Sequence, residues 1–420
     1  MMKKARKKRS KVWLVVLCLF AALTLAASVF MRFGGFGTGE SASPEDFAAY
    51  AGTLEDIFIP ENAKIIALGE ATHGNVEFQE LKLDVFIHLV ENYGVRSFAL
   101  EGDYGGCEQV NRYIPHEDGL VHSALSSPSG FAIYRTEEMA ELISFMREYN
   151  DSAEAGDDLR FYGFDMQRYA YSFQFLMEAC AELDVDTGAL EKLMDGENWS
   201  GEYDDAARME TLVQIKTELA GKANSAQAIR LAAMLLQYLE LQNAPASDNI
   251  ALRDRLMAEN VQWIAEQERL AGHGRIFVAG HNGHVAKWGS YDSMGKLLAN
   301  EIGDSYYAIG TDFYKTNCNM PGSTSGRRTN QVFYSHDPLA KAAKTAGLDL
   351  CWLDFSKIPE TSELGALISQ YAYMGDLGEG YAWFMRLLPP SYRMFQPPAV
   401  LYDGMIFVAE AHPTAIISAE

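Results

Sequence analysis

Residues Ile65–Gly74 read IIALGEATHG, and the fold turns on that stretch. Ile65–Leu68 is a short apolar run with β-branched residues, closed by Gly69. That pattern describes a buried strand whose carboxyl end breaks into a turn. Glu70 and His73 lie just beyond it, ahead of a long amphipathic helix with apolar positions at Val76, Leu81, Val85, Phe86, Leu89 and Val90. Thr72 is the natural N-cap of that helix. A carboxylate and an imidazole at a strand-to-helix turn occupy the crevice where open α/β sheets bind ligands. A solvated turn with a capping role accounts for the same residues without a site.

Working outward, the pattern recurs. Val95–Leu100 ends on Glu101, Leu159–Phe164 on Asp165, Arg275–Ala279 at Gly280–His281, Tyr306–Gly310 near Asp312, Leu348–Leu353 on Asp354 and Met405–Ala409 on Glu410. Apolar runs separated by stretches long enough to cross over predict an α/β fold, a mainly parallel sheet flanked by helices. Parallel strands would bring Glu70, His73, Glu101, Asp165 and His281 to one sheet edge. Residues 167–270 read as a helical insert, with runs at Ser172–Leu183, Asp205–Ala220, Ala226–Leu241 and Asn249–Leu270. Such a block forms either a lid over that edge or ordinary crossover packing.

The amino terminus has a different character. Seven basic residues within positions 1–11 precede residues 12–31, which carry no charge. At about 1.5 Å per helical residue, those 20 residues reach roughly 30 Å, the thickness of a bilayer core. The basic flank predicts a single-pass anchor with its start in the cytoplasm and the remainder of the chain extracytoplasmic. Cleavage as a signal peptide near Leu25–Ser28, leaving a secreted protein, is the alternative. Residues 32–45, rich in Gly and Ser, read as a flexible tether, leaving residues 46–420 as one large domain.

Without the eight Lys and Arg of residues 1–32, the chain carries 27 basic and 57 acidic side chains, a net of −30. That balance argues against nucleic acid or an anionic lipid surface as partner, since phosphate binding requires clustered Lys and Arg. Cys107, Cys180, Cys318 and Cys351 form no CxxC pair, which argues against a thiolate zinc site and leaves disulfides open.

His281-Asn282-Gly283-His284 supplies two imidazoles that point one way if the segment opens a helix. Joined to Glu70, His73 and Glu101, they could ligate zinc or another divalent metal. Without metal, one histidine would be a general base toward water, a carboxylate would orient it, and Arg253 would stabilise an oxyanion. A third reading is a non-enzymatic module holding a metal or haem through His281 and His284. Other nucleophile signatures are missing. Gly322–Gly326, GSTSG, has Thr at the nucleophile position and no strand expected directly before it, and the chain has no HExxH or Walker lysine.

GEATHG (Gly69–Gly74), ALEGD (Ala99–Asp103) with Asn111, FYGFD (Phe161–Asp165), RDRLMAEN (Arg253–Asn260), AGHNGHV (Ala279–Val285) and SMG (Ser293–Gly295) occur in that order. Together they resemble the erythromycin esterase family over roughly residues 46–415. The resemblance implies an α/β core with helical additions and metal-independent hydrolysis of a macrolide lactone by water, with no cofactor. It places Glu70, His73, Glu101, Arg253, His281 and His284 at catalytic positions and Asp165 and Asn282 at substrate-binding ones. Two departures stand out: Val-Ala-Gly-His-Asn replaces the family's Trp-Ala-His-Asn, and AEAHPT (Ala409–Thr414) matches no family motif. The expected function is therefore a membrane-anchored extracytoplasmic hydrolase acting on a small-molecule ester or lactone.

Overall fold

A computed structural model describes residues 2–32, 42–114, 125, 132–335 and 337–417. Alternation along the central strands sets its layers. Ile65 and Ala67 join one buried cluster, and Ile66 and Leu68 join another on the opposite face. Ala99 lies in the first cluster and Phe98 and Leu100 in the second, so the sheet is covered on both faces.

The sheet has nine strands. In chain order they are β1 (Ala51–Gly52), β2 (Ile65–Glu70), β3 (Ser97–Asp103), β4 (Arg160–Asp165), β5 (Ile276–His281), β6 (Tyr306–Pro321), β7 (Arg328–Tyr334), β8 (Leu350–Asp354) and β9 (Gly404–Ala411). Their spatial order is β1-β8-β9-β6-β2-β5-β3-β4, with β7 attached to β6. The pairs from β9 through β4 are all parallel. The β1–β8, β8–β9 and β6–β7 pairs are antiparallel.

Four local expectations change. First, β8 runs against β9 with Asp354 opposite Gly404 at the start of that strand, so Asp354 lies on the edge away from Glu70. Second, β6 is 16 residues long and turns through Gly322–Gly326 into β7, so a strand does lead into GSTSG, which is a hairpin connection and not a nucleophile elbow. Third, Glu101 sits inside β3, where the register with β4 shifts between Leu100 and Asp103. Fourth, helix α1 (Val76–Tyr93) begins after Asn75, not after Thr72. The Thr72 hydroxyl bonds the Asn75 side chain instead. Asn75 in turn donates to the carbonyls of Asn317 (3.0 Å) and His412 (2.9 Å). His412 belongs to the AEAHPT segment, whose role is thus to clamp this turn.

Helices α2 (Tyr104–Tyr113) and α3 (Glu137–Ser152) follow β3. The block between β4 and β5 holds α4 (Ala170–Glu182), α5 (Asp205–Leu219), α6 (Ala226–Asn243) and α7 (Asn249–Leu270). Leu176, Leu212, Leu235 and Met257 from these helices share a core with Ala67, Ala99 and Val278 of the sheet. The block is therefore crossover packing, while the first turns of α7 bring Arg253 to the sheet edge.

The amino-terminal helix spans Met2–Arg32, and its stretch Lys11–Phe30 is long and apolar enough to cross a membrane, a test that a signal sequence also passes. Of the expected tether, residues 33–41 lie outside the described residues, and Pro44 and Glu45 already belong to the helix Pro44–Tyr50. Cys107, Cys180, Cys318 and Cys351 are buried and unpaired, which corrects the disulfide option.

Candidate active site

The end of β2 is built by close approach. A Cβ on Gly69 would fall 2.3 Å from Asn282 Oδ1, so only glycine lets the short helix α8 (Asn282–Val285) pack on the strand. Asn282 is 1 % exposed, and its amide grips both polar groups of the Thr311 backbone, at 2.8 and 3.2 Å. It therefore ties the end of β5 to β6 across the intervening β2, from outside the cavity wall, which corrects its expected substrate contact.

Glu70 and His73 form a buried pair, with Oε1 2.7 Å from Nδ1. The other Glu70 oxygen accepts from Lys82 at 2.6 Å, and Lys82 is 1 % exposed. Burial alone would raise the Glu70 pKa, but Lys82 and His73 overcome it and hold the carboxyl at about 2. Burial would likewise lower His73, yet the Glu70 carboxylate raises it to about 9. With Nδ1 on Glu70, His73 presents Nε2 to the cavity.

Arg253 organises the opposite wall. It donates to Asp165 through Nε (3.2 Å) and Nη2 (2.8 Å), to Glu101 through Nη2 (2.8 Å) and to His284 Nε2 through Nη1 (3.1 Å). Those bonds use four of its five N–H groups and leave one on Nη1. In its neutral form His284 accepts from Arg253 on Nε2, and its Nδ1 lies 2.7 Å from Asp254; against the cost of burial, Glu101 and Asp254 raise its pKa and favour the charged ring. Asp254 is fully buried and also accepts from the Met294 backbone and the Tyr291 hydroxyl. The second Glu101 oxygen takes the His281 N–H at 2.7 Å. Against the cost of burial, the neighbouring His284 and Arg253 hold Glu101 well below the usual carboxylate range.

His281 lies between the two walls, its ring centroid 5.0 Å from His73 and 6.3 Å from His284. Its Nε2 is 3.1 Å from the Leu377 carbonyl, which fixes the proton on that nitrogen. Burial, reinforced by the other two histidines, lowers its pKa although Asp376 opposes the shift. The cavity holds about 500 Å³ and is lined by His73, Glu101, Asp103, Asp165, Arg253, His281 and His284, with Arg168 and Glu379 at its margin. Glu70 stands behind His73. Seven of the eight expected site residues thus converge, and Asn282 does not line the space.

The donor set does not suit a divalent ion. Glu70, Glu101 and His284 have their oxygens or nitrogens committed to Lys82, His73, Arg253, Asp254 and the His281 backbone. Among the described residues, no three His, Cys, Asp or Glu side chains are placed to hold one.

Sequence reading missed Lys82, Asp103, Asp254 and the Asp376–Glu379 strap. Lys82 was detectable, because it falls four residues after Phe78 on the buried stripe of α1, where a lone charge needs a partner. Asp103 caps α2 by accepting from Gly106 at 3.0 Å, and its other oxygen is buried with no hydrogen-bond partner among the described residues. Burial pushes its carboxyl up to about 8. The strap carried no such signal.

A family model described as Erythromycin esterase matches residues 90–411. The chain belongs to the erythromycin esterase family. Bacillus subtilis (strain 168) YbfO, which bears the name of a hydrolase, is 27 % identical over 406 residues, covering 84 % of this chain and 85 % of its own. An Escherichia coli erythromycin esterase type II is 24 % identical over 299 residues, covering 60 % of this chain and 70 % of its own. A Bacillus cereus protein of solved structure superposes with a TM-score of 0.75 at 19 % identity, covering 89 % of this chain and 98 % of that one. The fold this chain shares with that solved structure is a mostly parallel sheet flanked by helices, and membership of the erythromycin esterase family makes this chain a hydrolase.

Proposed function

We propose that the protein hydrolyses a carboxylic ester or lactone with water activated by His73 and without a metal. The observation that carries this reading is the buried chain Lys82–Glu70–His73, which leaves only Nε2 of the imidazole facing the cavity. Glu70 orients the ring and stabilises the imidazolium formed when His73 takes a proton from water. The remaining Nη1–H of Arg253 supplies one donor to the oxyanion that develops on the substrate carbonyl. Glu101 and Asp165 hold that guanidinium in place. His281, neutral and bonded to Leu377, forms the wall between base and arginine. The relatives' names and the family description support the ester class.

A base role for His281 instead is favoured by its lowered pKa, which keeps the imidazole neutral at pH 7. The basic amino terminus and the stretch Lys11–Phe30 support placement of the catalytic domain outside the cytoplasm on a membrane anchor, with secretion after cleavage as the other route.

Kinetics of the full chain on a panel of ester and lactone substrates, with and without chelator, test the reading. His73→Ala should lower kcat by roughly 10²–10⁴-fold with little change in KM. His281→Ala should cost less, and chelation should cost nothing. Full activity in His73→Ala, or loss on chelation with recovery on adding zinc, overturns the proposal.

A further inference from the structure

Just past the cavity rim, the surface turns apolar. Trp383 is 72 % exposed, Phe384 42 % and Leu388 50 %. Trp383 and Phe384 open the turn Trp383–Leu387, and Leu388 joins it to the next turn, Pro389–Tyr392. The same segment begins inside the site: Leu377 accepts from His281, and Gly378 and Glu379 line the cavity. Trp383 comes five residues after Gly378, so the two lie within roughly 18 Å at about 3.5 Å per residue. One side of this strap therefore closes the site while its far end carries bulky apolar groups to the surface.

A second observation says what covers them. The amino-terminal helix packs against these two turns. Within Lys11–Phe30 only 6 % of the apolar window is buried, and Ser28 is the residue drawn in, at 5 % exposure. Among the described residues this is the one helix with the length and composition to cross a bilayer, and it reaches the domain at the exposed tryptophan. Tryptophan and phenylalanine favour the boundary between headgroups and acyl chains. A domain with a net charge of −30 has no electrostatic pull toward anionic lipid, so apolar insertion is the contact its chemistry allows.

We propose that Trp383, Phe384 and Leu388 enter the interface of a lipid bilayer and turn the rim of the cavity toward it. The inference rests on reading Lys11–Phe30 as a membrane span. The test is tryptophan fluorescence of the full chain in phosphatidylcholine vesicles, plain or brominated high in the acyl chains, for the wild type, Trp13→Phe and Trp383→Phe. Subtracting each variant isolates one tryptophan, Trp13 for the span and Trp383 for the docking face. Both difference signals should lose most of their intensity in brominated vesicles. A quenched Trp13 with an unquenched Trp383 overturns the docking face while the anchor stands. An unquenched Trp13 removes the anchor, and the proposal falls with it. An unquenched Trp383 that crosslinks to a second copy assigns the face to self-association and also overturns the proposal.

Discussion

At the scale of single residues, the site is a set of charges whose pKa values are set by their buried neighbours, some local, as His73 beside Glu70, and some distant, as Arg253 beside Glu101. Against the cost of burial, the Glu70 carboxylate, helped by Glu101 and Glu379, holds His73 above its ordinary value of 6.5, at about 9. At pH 7 most of the imidazole is then protonated, and the fraction able to act as base grows as pH rises. If His73 is the base, kcat/KM should climb with pH along a limb above 6.5, measured from pH 5 to 10. A limb below 6.5 would transfer the role to His281, whose pKa is lowered. Asp103 offers a test on stability. Its carboxyl titrates at 3.8 when free and at about 8 when folded, so between those values the native state holds a proton the unfolded state has lost. Its contribution is therefore fully present below 3.8 and is lost as pH rises toward 8. Asp103→Asn keeps a competent N-cap and removes that loss. It should gain on the order of 1–3 kcal/mol at pH 7 and little at pH 3, read by denaturant unfolding at both. Equal effects at the two pH values would contradict the assignment.

At the scale of elements, two junctions matter: β2 against α8, and the turn between β2 and α1. The first depends on Gly69, because any side chain there collides with Asn282 and Val285. Gly69→Ala should destabilise by about 1–3 kcal/mol, the range for overpacking. It should also lower activity, since His281 directly precedes Asn282. A urea midpoint equal to that of the wild type would show that α8 moves freely. The second junction shows why capping was misjudged from sequence. Thr72 has the right chemistry for an N-cap, but its hydroxyl and the Asn75 amide are committed to one another and to β6 and His412. Local propensity gave way to contacts with residues about 240 or more positions away.

For the whole molecule, the amino-terminal stretch and the acidic domain make opposite demands on their surroundings. Lys11–Phe30 exposes nearly all of its apolar surface, whereas residues 33–420 carry a net charge of −30. A tagged full-length chain should fractionate with membranes and keep its original amino terminus. Recovery from the medium with a new amino terminus near Ser28 would make the stretch a cleaved signal. The sequence by itself determined the parallel core and the carboxyl edge that bears Glu70, His73, Glu101, Asp165 and His281. Strand alternation and polar strand ends are local patterns, written within a few residues. It also marked the candidate span, for the same reason. Only the tertiary structure decided that β8 runs antiparallel, that Asn282 serves the backbone and that Lys82 completes the Glu70–His73 pair. It alone showed which imidazole nitrogen faces the cavity. Each of those depends on which distant groups meet in a space closed to water, where a buried charge must find its partner, and residue order does not state that geometry.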